Sequence, residues 1–529
     1  MKLKLRILPD ISAVKKAGID HYKNNYFWPV PEDEYHEFIE FMYSTYVKLI
    51  SELDDKVYDI ALVEYTFIVS ELTGIFHYNY VKSYAKMEGL SIDPATESYS
   101  YLYPDWKSIG LYYSKLSFPY GGIMRVVRRL VKNIFFNKHL SVFKIFSKLI
   151  SKSNTIGIGS NDAIKKSYIE KEGIFCDHRD WIDLISVNKP SSKSNRLCDR
   201  LTNEAIIPFL NSLESKETLF TKDLDFSKIL NSWKQRISDA SIIYTNLFYN
   251  DNIKFERLLV TEVVKPYNKL ISVALQRKGI DVYCFDHGND SSVTNYEIGN
   301  QNERAHCKKF IVPTLGVKRK YEEIYSNNIL ERRTEIEYIS AGQSKYIDLL
   351  KSNSKIKKTS NLNKIMIIGT PSNANRYYYE KGWFFYFKID LELKIIDALH
   401  DRGYYVIYKA HPGTLTETKG LFEGYVDEYI TDPYEKVWHV ADSFVFTDTS
   451  SSTFGYALTT NRHVVLLDNI DNIHHETTWE LLKKRINIVP SHIDHNMHIR
   501  FSENDFYKSL ENKGETYDNT FLETVFGKE

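Results

Sequence analysis

Strand-like and helix-like runs alternate along most of this chain. That alternation restricts it to a parallel α/β architecture, because a parallel neighbour is reached only through a crossover, usually a helix. From about residue 57 the strand-like runs are VYDIALVEY, NTIGIG, SIIYTNL, RLLVTEV and DVYCFDH. A polar interval rich in Lys, Ser and Asn, KSNSKIKKTSNLN (351–363), has the character of a linker. A second series follows it: KIMIIGT, a long helix through FKIDLELKIIDALHDRG, then YYVIYKAHPG, DSFVFTDTSSS and HVVLLDN. At 529 residues the chain is too long for one ordinary hydrophobic core. The expectation is two Rossmann-like domains facing across a cleft, with ligands at the carboxyl ends of the strands. Residues 1–350 form the first domain, with helical insertions; 351–363 link it to a second at 364–505, and 506–529 form a helical tail.

Charge gives no global direction. Lys+Arg and Asp+Glu both number 69, so nothing draws the whole molecule to nucleic acid, and affinity for an anion must come from local arrangement. Cys176, Cys198, Cys284 and Cys307 lie far apart without a C-x-x-C, which reads as reduced thiols and not a disulfide framework or zinc site. The N-terminal MKLKLRILPDISAV lacks the apolar core of a signal peptide. No window offers ~20 uninterrupted apolar residues, as a membrane span needs. The expected location is the cytoplasm.

The second series carries the densest polar chemistry. In DSFVFTDTSSSTFGYALTTN a strand runs into Asp448, then Thr449, Ser450, Ser451, Ser452 and Thr453, then a short helix. One hydroxyl suffices to cap a helix. Five in a row supply further donors beside the free amides of the first turn, where phosphate binds well. The strand YYVIYK delivers Lys409 and His411 to a Pro-Gly corner, two residues apart and so on one side of an extended strand. A third strand end, IIGTPSNANR, adds a glycine turn with Thr370 and Asn373. These strand ends offer donors and, apart from Asp448, no carboxylate, a set suited to the phosphate and sugar of a nucleotide.

With K-A-H-P followed some forty residues later by D-T-S-S-S, the chain resembles the nucleotide-binding half of GT-B glycosyltransferases that build bacterial surface polysaccharides. The nearest patterns are sialyl-, polysialyl- and Kdo-transferases, which use CMP-activated acid sugars; CDP-glycerol polyol-phosphate transferases share a similar pair. The resemblance covers residues 364–500. It implies that His411 and the Ser/Thr run hold the CMP phosphate.

The first series contains a clean βαβ unit, RLLVTEVVKPYNKLISVALQRKGIDVYCFDHGND (257–290). Pro266 suits the first helical position and Gly279 the position after the last. If the two strands are neighbours, Glu262 and His287 stand at adjacent carboxyl ends about 5 Å apart. A carboxylate beside an imidazole can move a proton or fix a tautomer, and Gly288 would let a ligand approach the backbone. Many enzymes of the resembled group carry Q-H-G or W-H-G here; this chain has Asp286 before the histidine. By that similarity His287 is a candidate base or donor contact and Glu262 its acidic partner, with Asp286 and Glu64 as alternative carboxylates.

Other signals are weaker. TIGIGSND is a tight strand–helix turn. HIDHNMH spaces His492, His495 and His498 three apart, which on a helix drifts around the surface. No D-x-D pair stands where a Mg²⁺-dependent sugar transferase wants one, which suits a metal-independent mechanism with no cofactor beyond the donor substrate. Segment 123–154 interleaves Arg125, Arg128, Arg129, Lys132, Lys138, Lys144 and Lys148 with apolar residues and has no acid, so 123–152 reads as a basic amphipathic surface for an anionic membrane or as a core helix with a solvated basic face.

The resemblance therefore implies a glycosyltransferase at the inner face of the cytoplasmic membrane. It would move an acid sugar (Kdo, sialic, legionaminic or pseudaminic type) from a CMP donor to an oligosaccharide or lipid-linked glycan of lipopolysaccharide or capsule. Two alternatives stand beside it: a CDP-polyol phosphotransferase, and a non-catalytic nucleotide- or glycan-binding subunit of a polysaccharide assembly complex.

Overall fold

The computed structural model describes residues 6–9, 11–93, 122–151, 153–159, 163–185, 190–216, 218–222, 224–263, 265–286, 304–324, 336–342, 345–353, 363–369, 385–412, 415–449, 451–470, 474–511 and 518–527. The chain is α/β with two Rossmann-like parallel sheets, a GT-B-like architecture. A short parallel pair, β1 (Arg6–Ile7) with β2 (Ser91–Ile92), precedes them.

The first sheet comprises β3 (Thr155–Ile158), β4 (Asp177–His178), β5 (Arg257–Val260), β6 (Asp281–Phe285), β7 (Lys309–Val312) and β8 (Glu337–Ser340), in spatial order β4-β3-β5-β6-β7-β8. The second comprises β9 (Lys364–Ile368), β10 (Tyr405–Lys409), β11 (Glu428–Ile430), β12 (Ser443–Phe446), β13 (His463–Asn469), β14 (Asn487–Ile493) and β15 (Ile499–Phe501), in order β11-β10-β9-β12-β13-β14-β15. Only β15 is antiparallel. Central strands are buried on both faces, as in Phe444-Val445-Phe446 and Ile365–Ile368, which is why they read as unbroken apolar runs.

Two of the expected strands are helices. VYDIALVEY opens α2 (Asp55–Glu88), which follows α1 (Glu32–Ser51), and SIIYTNL closes α5 (Phe226–Phe248). An apolar run alone does not separate a buried strand from a buried helix; here the ends decide. The Asp54 carboxylate accepts the amides of Lys56 and Val57 at 3.1 and 3.2 Å, and Gly89 stops the helix with φ 65°. Asp225 caps α5 through the amide of Lys228 at 3.0 Å. Helix α2 is long and apolar enough to cross a membrane, yet 81% of that stretch is buried inside the protein, as befits a core helix. Its acids meet partners on α5: Arg236 contacts Glu64 and Glu71, each at 2.7 Å, and Tyr244 donates to Asp59 at 2.8 Å. Segment 123–150 is two helices, α3 (Gly122–Phe136) and α4 (Val142–Ile150), beside edge strand β4.

Within the first unit α6 (Pro266–Arg277) crosses from β5 to β6, and α7 (Leu315–Ile324) and α8 (Lys345–Asn353) follow β7 and β8. In the second unit α9 (Phe385–Asp401) leads into β10, α10 (Ser452–Leu458) follows β12, and α11 (Glu503–Glu511) packs on β13 and β14, so residue 505 lies inside a helix. The last helix, α12 (Thr520–Phe526), returns to the first unit and packs on α7 and α8. Thr314 donates to the Val525 carbonyl at 2.6 Å, and a Cβ at Gly316 would lie 2.2 Å from the Thr524 carbonyl oxygen, so only glycine admits this approach. Near the N-terminus Tyr26 stacks on His498 of the second unit at 3.8 Å.

Candidate functional site

A parallel sheet opens a crevice where consecutive strands leave in opposite directions, beyond their carboxyl ends. In the second sheet the chain runs from β9 outward to β10 and β11, then crosses back to β12, so the reversal lies between β9 and β12. Gly369 ends β9. Its amide donates to the Lys409 carbonyl at 2.9 Å, and a Cβ there would lie 2.5 Å from the Tyr408 hydroxyl and 3.1 Å from the Lys409 carbonyl oxygen. The crevice floor is thus too tight for any side chain at that position. Thr370 and Asn373, expected to line it, lie outside the described residues, as does Ser450.

Across the reversal β12 delivers Thr447 and Thr449, both buried, and half-buried Asp448. Ser451 is the cap of α10, its hydroxyl accepting the Phe454 amide at 3.2 Å, and Ser452 is exposed at the first helical position. The hydroxyl run therefore divides its labour. Ser451 serves the seven-residue α10 as its cap, while the Ser452 side chain stands exposed beside it.

The β10–β11 ladder persists through Ala410, whose amide reaches the Ile430 carbonyl at 3.0 Å, and His411 follows one residue beyond, half-buried. Lys409 behaves differently from expectation. Its ammonium is buried and donates to the Ala410 carbonyl at 2.5 Å, because a buried cation must take the nearest acceptor. Burial pushes its pKa down against the opposing pull of Glu435 and Asp432. With β9 between them, the strands carrying His411 and Ser451 stand about 9.6 Å apart.

In the first sheet the chain steps from β3 to β4 and then back past β3 to β5, so the reversal lies between β3 and β5. Glycine again closes the first strand: Gly159 has φ +92°, and a Cβ there would lie 2.2 Å from the Thr261 hydroxyl and 2.8 Å from the Thr261 carbonyl oxygen. Beyond β5, Glu262 takes φ 55°, the left-handed region that a residue with a side chain enters at a cost of about 1–3 kcal/mol. Asn268 holds it there; fully buried, it donates to the Thr261 and Glu262 carbonyls at 2.9 and 3.1 Å. The carboxylate, 19% exposed, meets the Lys265 ammonium at 2.8 Å. Burial, and then the Glu262 charge, push the Tyr267 phenol up to about 12, while Trp181 packs on its ring at 4.2 Å.

Strands β5 and β6 are neighbours, as the pairing of Glu262 with His287 requires, but His287 and Gly288 lie outside the described residues. The other two carboxylates are buried. Asp286 is 1% exposed at the end of β6, its backbone amide donating to the Ile311 carbonyl at 2.9 Å. Glu64 is fully buried on α2 against Arg236, far along a helix and not at a strand end. Among the described residues no group of three or more His, Cys, Asp or Glu is arranged to hold a metal, and His498 is engaged with Tyr26 and with Asp390 at 3.1 Å.

One polar cluster escaped the sequence reading. At the end of β13 Asp468 meets His474 at 2.7 Å, and Trp479 stacks on that imidazole at 3.6 Å with an interplanar angle of 7°. All three line a cavity of about 570 Å³ beside β14. The run HVVLLDN announced the strand, but nothing in the sequence linked its aspartate to a histidine six residues on.

No family model matches the chain, and no curated protein matches it. Among 14 solved chains that do match is the crystal structure of Methanocaldococcus jannaschii UDP-GlcNAc 2-epimerase in complex with UDP-GlcNAc and UDP; it shares 16% identity over 70% of this chain and 96% of that one, with a TM-score of 0.37. The architecture described above rests on the two strand orders themselves.

Proposed function

We propose that the protein is a metal-independent glycosyltransferase that moves an acid sugar from a CMP-activated donor to a glycan acceptor. The observation that supports this most is the placement of His411, Thr449, Ser451 and Ser452 at strand ends flanking the reversal of the second sheet, around the side-chain-free floor at Gly369. These are the residues on which the resemblance to CMP-acid-sugar transferases turns.

In this reading the CMP phosphate lies over β9 between the His411 imidazole and the β12 hydroxyls. As the bond from the anomeric carbon to the phosphate oxygen breaks, CMP leaves with the electron pair. Donors fixed in advance around that oxygen stabilise its growing charge without reorganisation. An acceptor hydroxyl then forms the new bond to the anomeric carbon and gives its proton to the Glu262 carboxylate. Alternatively, Glu262 itself forms a transient glycosyl adduct that the acceptor displaces. Either role needs a carboxylate at the edge of the sheet, and Glu262 is held there.

Titration calorimetry with CMP, CDP, UDP and GDP tests the reading. CMP is expected to bind and the purine nucleotide not to. Tighter binding of CDP would favour polyol-phosphate transfer, tighter binding of UDP would reject the donor, and silence with all four would sink the nucleotide site altogether.

A further inference from the structure

Helix α3 lies on the protein the wrong way out. Its polar side faces inward: Asn133 and Asn137 are fully buried and complete the open edge of β4, Asn133 exchanging bonds with the amide and carbonyl of His178 at 3.0 and 3.3 Å and Asn137 with those of Cys176, both at 2.9 Å. Arg129 and Lys132 reach inward as well, to Asp177 at 2.6 Å and Asp180 at 2.8 Å. Asparagines four residues apart match alternate residues of the strand edge, so the helix is locked in this orientation. As a result Val127, Val131 and Phe135, spaced one turn apart, point to solvent. Helix α4 packs against α3 and continues the pattern: Ile145 anchors it, while Phe143 is 88% and Ile150 83% exposed.

Twelve large hydrophobic side chains are exposed among the described residues, and eight of them fall between 126 and 150. Scattered apolar residues are ordinary on a surface; a concentration of this kind marks a surface that something covers. The chemistry of the cover follows from charge. Residues 123–154 contain no Asp or Glu, and Arg128, Lys138, Lys144 and Lys148 stand exposed around the apolar residues. Lys138 lies over the Phe135 ring at 5.0 Å, its stem along the apolar face and its ammonium at the rim. A second copy of this chain meeting the patch about a two-fold axis would bring these cations against themselves. A surface that is apolar within and anionic at its face answers both features.

We propose that α3 and α4 dock the protein on an anionic lipid bilayer, with Phe143 and Ile150 entering the acyl boundary and the surrounding lysines and arginines meeting the headgroups. Helix α3 sits on the edge strand β4, two strands from Glu262 in the sheet order, and α4 packs on α3. Docking would therefore hold the first unit's reversal close to the membrane plane. The proposal stands whether or not a sugar is transferred there.

Flotation of the full-length protein with phosphatidylcholine vesicles, with and without phosphatidylglycerol, tests it. The protein is expected to float with the anionic vesicles, to be released by salt, and to stay behind with the neutral ones. The F143S/I150S variant, altered only at exposed positions, should lose roughly ten-fold or more in partitioning. The K144Q/K148Q variant should lose about five-fold per charge removed. Met87→Ser, also exposed but outside the patch, should float like the parent; circular dichroism of each variant checks that it is folded. Three results would overturn the proposal: no flotation with anionic vesicles, equal flotation of F143S/I150S, or a solution dimer that those substitutions dissociate without any vesicle binding.

Discussion

The two reversals are built alike up to one residue and then diverge. Each first strand ends on a glycine with no room for a Cβ, Gly159 against Thr261 and Gly369 against Tyr408 and Lys409. In the first unit the neighbouring strand then presents a single carboxylate, Glu262, in a left-handed conformation secured by Asn268. In the second it presents hydroxyls, with an imidazole from the strand on the other side. A shared frame thus carries different side chains: one carboxylate beside a lysine in the first unit, and hydroxyls and an imidazole around Asp448 in the second. Breaking the comparison means exchanging or erasing one side and asking whether only its own half of the reaction fails.

The largest effect is expected from Glu262→Gln. It preserves size and backbone but removes the basic oxygen, so sugar transfer should fall by about 10²–10⁴-fold, the usual contribution of a placed acid or base. CMP affinity measured by calorimetry should not move. Normal turnover by this variant would transfer the role to another group; lost CMP affinity would mean that the two reversals are not chemically separate.

Next is His411→Ala. In the proposed role as a preorganised donor to the leaving phosphate, its removal should cost about 2–4 kcal/mol in kcat/KM, with KM raised and kcat lowered together. Steady-state kinetics on the same donor checks it. A change in KM alone would show that the imidazole binds ground and transition states equally, and near-parental kinetics would remove it from the site.

Much of this frame is legible in the sequence, and the exceptions have physical causes. Four of the second sheet's seven strands are announced, because KIMII, YVIYK, SFVF and HVVLLDN are short and carry β-branched or aromatic residues, whereas β11, β14 and β15 carry no such plain signal. VYDIALVEY misleads because its acids look like polar breaks in a strand, whereas on α2 they point at Arg236 and Tyr244, partners 172 and 185 residues away that no local pattern can reveal. Lys409 misleads for a related reason: alternation gives the side a residue lies on but not where a flexible ammonium ends. The left-handed turn at Glu262 carries no signal, since glutamate is not a residue that ordinarily marks such a position. The inverted lie of α3 is half legible, as its basic and apolar faces are plain but which of them turns inward depends on two asparagines meeting a strand edge.

Stability measurements sharpen the likeness of the two frames. Gly159→Ala forces a side chain into both a left-handed backbone and the Thr261 carbonyl, and should cost about 1–3 kcal/mol in chemical denaturation. Gly369→Ala meets chiefly the end of the Tyr408 ring without a backbone penalty, so its cost should be the smaller of the two. The reverse order would mean that the second floor, and not the first, is the rigid one.

The smallest effect separates structure from chemistry within the hydroxyl run. Ser451 caps α10, so Ser451→Ala should lower stability by about 0.5–2 kcal/mol, while Ser451→Asp, another good cap, should restore it. Nucleotide binding responds differently if the capping and the ligand roles are distinct. An aspartate in the crevice would set a second carboxylate beside Asp448 and oppose a phosphate, so the stable Asp variant should bind CMP worse than the less stable Ala variant. Were CMP affinity to follow stability across the two substitutions, the hydroxyl would matter only as a cap, and the phosphate reading would have to rest on His411 and the rest of the run.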